Sequence, residues 1–288
     1  MQTSGELHAL LNLIEDPDDE IYQMVTSRLL DLGDEVIPLL EEHKQSVSDT
    51  EQLQKLDRII SKISISTLEN SIMLWKQNGE QSILDAVLTI SMYINRETDK
   101  HQFFFEVEKI RKNVWLEIND YLTPLEEVVI MNRIIFDYYK FKGVNTDYRK
   151  MEEFDLMYLF SNKKANSYSI AALYLIITEL LGISLKPITI PQQNLLCYLM
   201  EEDVFAPEAP QEIVFYLDPL NGQVYTHKDL ENYLKKIDYS AYSIKLDTNT
   251  SAAFIKKWLL ALAKCEKENG FLFKEKELIR IARMMEGE

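Results

Sequence analysis

Ser167 stands where a long apolar run begins. In NKKANSYSIAALYLIITELLG (residues 162–182) the pattern predicts a buried helix that stops at Gly182, and its first turn carries Asn166, Ser167 and Ser169. A helix N-terminus has unpaired N–H groups and the positive end of a dipole, so it stabilises an anionic nucleophile. It equally suits a side chain that only caps the helix. A serine hydroxyl attacks an acyl carbon only when a base removes its proton. Four histidines are available in the whole chain, and His227 follows Asp218 of FYLDPLNG across a turn and one strand. Cys197 in NLLCYL is a second nucleophile by type. Each also has a plain structural reading. Asp218 bonds its own turn, His227 lies exposed in a helix's first turn, and Cys197 is a buried free thiol. On this weighing Ser167 is a cap rather than a nucleophile.

Aromatic side chains form the other candidate surface. HQFFFEVEKIRKNVW (101–115) has helical spacing and predicts Phe104, Val107, Ile110 and Trp115 in the core. FDYYKF (136–141) is mostly core as well, with Tyr138 and Tyr139 placed to rim a groove. There is no phosphate-binding glycine loop, zinc spacing or dinucleotide fingerprint, so no cofactor or metal is expected.

The elements that must position these residues follow from composition. Only 8 Gly and 8 Pro in 288 residues means few turns and long helices. Helices are predicted near 49–77, 81–96 and 101–121, and TPLEE opens another, with Thr123, Pro124 and Glu126 in capping register. Past residue 183 the period shortens. ISLKPITI, NLLCYLM and EIVFYLDP read as strands, EEDVFAPEAPQ (201–211) as an exposed hairpin loop, and LNGQ as a tight turn. Helix returns at 227–236 and through most of 249–286. The fold class is α+β, predominantly α-helical, with a small meander of about four strands.

Acids outnumber bases 47 to 31, a formal net charge of −16. Phosphate binding needs clustered Lys and Arg, so nucleic acid is disfavoured as a partner, as are anionic membrane surfaces. Two cysteines in apolar stretches and no membrane-length apolar run point to the cytoplasm.

From Met131 onward, MNRIIFDYYKFKGVNTDY is similar to the opening of the transglutaminase-like core of bacterial SirB-type proteins, a family labelled as invasion or transcriptional regulators. The matching residues are Asn132, Ile135, Phe136, Phe141, Gly143, Asn145, Asp147 and Tyr148. KKANSYSIAALYLIITELLGI stands at the family's basic pair, Gly-Asn-Pro and helix ending in Leu-Gly. TIPQQNLL stands at its Pro-Gly-His-Phe, and FYLDPLNG at its Asp-Pro turn. The resemblance implies a papain-like arrangement, with Cys at a helix N-terminus, His on the next strand and Asp on the one after. It places those three positions at Ser167, Gln193 and Asp218. Gln193 departs from the pattern, since an amide takes up no proton at physiological pH. The family itself usually carries Pro at the nucleophile position.

The resemblance covers roughly 79–240, which leaves a HEAT-like helical segment at 1–78 and a C-terminal helical pair, similar to tetratricopeptide tails, at 241–288. It implies a non-catalytic protein that binds a protein or peptide partner, with Asn166, Tyr138, Tyr148, Cys197 and His227 as candidate binding residues. One alternative is a hydrolase or acyltransferase using Ser167 or Cys197 with His227 and Asp218. A second is a transcriptional regulator, from the family label alone.

Overall fold

A computed structural model describes residues 9–11, 13–14, 18–80, 82–190, 193–200, 212–237 and 251–285. The chain forms two compact units, Met1–Leu74 and Trp75–Glu288.

The first unit is helical. Helix α1 (Asp19–Leu32) begins where Asp18 accepts a hydrogen bond from Glu20 N at 2.8 Å, with Asp19 and Glu20 on the positive end of the dipole. A 3-10 turn (Gly33–Val36) leads into α2 (Ile37–Ser46), whose Pro38 lies in the first turn, where no N–H is missed. Helix α3 (Thr50–Gln77) supplies Leu56, Ile59, Ile60 and Ile63 at three- and four-residue steps. They bury against Leu29 and Leu40 in one apolar cluster.

In the second unit, α4 (Ile83–Ile94) and α5 (Lys100–Trp115) precede α6 (Pro124–Asn132). The capping box predicted at Thr123 and Glu126 is present. Helix α6 runs on without a break into a π-helical turn, Arg133–Tyr138, where Tyr139 N bonds Ile134 O five residues back at 2.9 Å. A short parallel pair follows, β1 (Lys142–Gly143) against β2 (Lys164–Ala165), with α7 (Leu156–Asn162) between them. Neither the π turn nor this pair is visible in the hydrophobic pattern.

Helix α8 (Ser167–Leu181) is buried at every position from Tyr168 to Thr178, as its uninterrupted apolar run requires. It packs on an antiparallel meander of β3 (Leu185–Ile190), β4 (Gln193–Leu199), β5 (Ile213–Asp218) and β6 (Gln223–Tyr225), in that order across the sheet. Side chains alternate between faces. Asn194, Leu196 and Tyr198 share one face, from which Asn194 reaches Ser167 of α8 and the Tyr198 hydroxyl donates to Glu127 of α6 at 2.6 Å. Leu195, Cys197 and Leu199 join Ile188, Ile190 and Tyr216 in a cluster closed by Leu230 and Leu234 of α9 (His227–Lys236). Helices α10 (Ser251–Glu268) and α11 (Leu272–Met284) form the C-terminal pair. The meander and the pair agree with the α+β expectation. The 201–211 loop lies outside the described residues. No helix among the described residues is long and apolar enough to cross a membrane.

Two core assignments need correction. In α5 the buried stripe is Phe103, Val107, Ile110 and Val114, while Phe104 and Trp115 are 40% and 60% exposed. Steps of four, three and four keep one continuous face; the predicted set ended on a step of five, which leaves it. Of the two tyrosines in FDYYKF, Tyr139 is buried and Tyr138 is exposed.

Candidate functional site

The mouth of α8 is built from four elements. Asn166 is extended and wholly buried, and its Oδ1 accepts from Tyr168 N (3.0 Å) and Ser169 N (3.4 Å). Its own N–H and the Ser169 hydroxyl both donate to Glu153 O, at 3.1 Å each, which ties the helix start to the 3-10 turn Met151–Phe154. The cap is therefore Asn166 and not Ser167, correcting the sequence reading. A cap must stand outside the helix, and Ser167 is already its first helical residue.

Freed from capping, Ser167 Oγ accepts a hydrogen bond of 2.9 Å from Asn194 Nδ2. Counting by resemblance put Gln193 opposite the serine. The side chain that meets it is the next one, and Gln193 belongs to the alternate set of β4. The Gln193 carbonyl instead accepts from Lys257 Nζ of α10 at 2.5 Å, and burial holds that ammonium down to about 8. Asn194 donates to Ser167, the reverse of what a general base does. With the amide turned over, its oxygen would accept the serine proton in a hydrogen bond and still not take it up.

Around this contact the walls are aromatic. The rings of Phe154, Tyr168, Trp258 and Phe254 follow one another at 5.6, 6.2 and 5.7 Å, and burial pushes the Tyr168 phenol up to about 12. Half-buried Tyr148 continues the row at 6.1 Å from Phe154, with Lys264 Nζ 3.9 Å above its ring.

The remaining candidates do not converge on Ser167. His227, exposed as the first residue of α9, has Nδ1 2.9 Å from Tyr216 Oη on the opposite face of the sheet. Cys197 pairs with Tyr216 on that face, and burial pushes its thiol up to about 12, far from a thiolate at neutral pH. Asp218 ends β5 and accepts from Leu220 N at 2.9 Å, a turn-closing bond, while burial raises its carboxyl. Tyr138 points out at a separate pocket near α5. Among the described residues no imidazole bonds Ser167, Cys197 or Asp218.

The motif residues that carried the resemblance have packing roles. Tyr174 Oη donates to Asn132 Oδ1 at 2.5 Å, and Asn132 Nδ2 donates to Gly222 O at 2.7 Å. Gly222 has φ +73°, and a Cβ there would stand 2.8 Å from the Asn132 and Phe136 side chains. A Cβ on Gly143 would run into the Leu220 carbonyl. The two glycines thus let β1 and the LDPLNG turn close on the helices. Asn194 and Lys257 were missed by sequence reasoning. Strand alternation would have found Asn194 once the register of β4 was known.

Comparison with known proteins returns a domain model described as transglutaminase-like superfamily, matching residues 101–259. That span holds the helix mouth, both flanking strands and the first half of α10. No curated protein and no solved structure gives a significant match. With more than half of its length under that model, and with a helix mouth packed on antiparallel strands within it, the chain belongs to the transglutaminase-like superfamily.

Proposed function

We propose that this protein is a non-catalytic member of the superfamily that works as a protein- or peptide-interaction module, possessing the acyl-transfer scaffold without its chemistry. The contact of Asn194 Nδ2 with Ser167 Oγ carries the reading, because an amide donor fills the place where a base would have to accept. The resemblance to SirB-type proteins supports it, since that family usually lacks the nucleophile. Both cysteines are buried and free, which suits a reducing cytoplasm.

The test is activity-based labelling of the full chain. Neither a fluorophosphonate nor an iodoacetamide probe should modify the folded protein at pH 7.5. Fluorophosphonate labelling that Ser167→Ala abolishes, or iodoacetamide labelling that Cys197→Ala abolishes, would establish a displaced catalytic set and reverse the proposal.

A further inference from the structure

Away from the helix mouth, the end of α5 and the π-helical turn enclose an open pocket of about 400 Å³, within the size range of ligand sites. Leu116, Ile134 and Tyr138 supply its apolar lining, and Glu117, Arg133 and Asp137 its charges. Leu116 and Tyr138 are 71% and 70% exposed. Exposed Leu125 and Val129 on α6 lead to Arg133 in four-residue steps, so an apolar stripe runs into the pocket. Tyr138 is set for contact, its ring held edge-on at 5.1 Å against buried Tyr139, whose hydroxyl accepts from Asn113 at 2.7 Å. A π turn beside such a pocket is itself a frequent mark of a working site.

Charge selects the occupant. The charged lining of the pocket is two acids, Glu117 and Asp137, against one base, Arg133. That base is paired with Glu117. Asp137 makes no ion pair among the described residues, and it lines the pocket together with Tyr138. A pocket lined by a carboxylate and an exposed tyrosine suits a cation with an apolar neighbour. We infer that this pocket docks a basic amphipathic segment of a partner protein. An apolar side chain enters between Leu116 and Ile134, and a lysine or arginine meets Asp137 and Tyr138. The surface is separate from the helix mouth, so the inference stands whether or not Ser167 is inert.

Fluorescence anisotropy of the full chain tests it with a labelled amphipathic peptide of leucine and lysine. A second peptide with glutamate in place of lysine is the control. Saturable 1:1 binding of the lysine peptide alone is expected, weakened about tenfold or more by Asp137→Lys and by Tyr138→Ala. Glu42→Lys, which changes net charge equally on the first unit, should leave affinity within about twofold. Both pocket variants alter exposed side chains, and matching thermal melts confirm their folding. The inference is overturned if the lysine peptide fails to bind or the glutamate peptide binds equally. Equal weakening by Glu42→Lys and Asp137→Lys would overturn it as general charge attraction. Dimerisation of the chain abolished by Tyr138→Ala would reassign the face to a second copy.

Discussion

On one side of the four-stranded sheet Asn194 reaches Ser167, and Tyr174 reaches Asn132 and through it Gly222. On the other, Cys197 and Tyr216 pack under α9, and His227 bonds Tyr216. The first side has the helix N-terminus that would activate a nucleophile, but there Asn194 donates to Ser167 and the Asn166 oxygen is spent on the backbone N–H groups of Tyr168 and Ser169. The second has the imidazole, at the start of α9, and a thiol in mid-strand, where no helix N-terminus lowers its pKa. Side chains on opposite faces of a sheet cannot meet while the strands stay paired. The reactive residue types are all present in the sequence, and strand parity keeps them apart.

The α8 side should break hardest at its glycine. Gly222→Ala is expected to cost about 3 kcal/mol, from left-handed strain together with the clash on Asn132 and Phe136. Gly182 is equally left-handed, at φ +72°, with nothing within 4 Å of its Cβ position, so Gly182→Ala should cost only about 1 kcal/mol. Urea denaturation of both variants measures the gap; equal losses would mean that the Asn132 contact carries no weight.

Next in size is the cap. Asn166→Ala should lose about 1–2 kcal/mol by leaving Tyr168 N and Ser169 N unpaired in a buried site. Ser167→Ala should lose less, about 0.5–1 kcal/mol, since it removes one side-chain hydrogen bond where loss of the cap removes two. A reversed order in thermal melts would return the capping role to Ser167.

The smallest effect sharpens the contrast between the faces. Ser167→Cys combined with Asn194→His rebuilds a thiol–imidazole pair on the α8 side. Iodoacetamide should alkylate residue 167 about tenfold faster in the double variant than in Ser167→Cys alone at pH 7. Cys197, raised to about 12 by burial, should stay unmodified in both. Equal rates at residue 167 would show that position 194 is not where a base belongs.

What the sequence conceals here is phase rather than architecture. Helix α9 is legible at its observed limits, the meander at its observed order, and the Thr123 capping box by its pattern, because each depends on local residue types. The misreadings are one-residue displacements: Phe103 for Phe104, Asn166 for Ser167, Asn194 for Gln193. A helix face turns by about 100° per residue and a strand face by half a turn, so an offset of one changes every contact while the element stays the same. Such offsets are settled by partners far along the chain, such as Glu153 for Ser169, which no local window contains.

The π-helical turn at 133–138 amounts to one residue more than a plain helix would use. Everything after it is rotated by about 100° from where the α6 repeat would place it. Tyr138 and Asp137 owe their place at the pocket to that extra residue as much as to their own identity. Among relatives of this chain, a single-residue deletion between Asn132 and Tyr139 should therefore remove the pocket even where every lining residue type is retained, whereas conservative substitutions should preserve it. Gaps in an alignment, more than mismatches, would trace the inheritance of this surface.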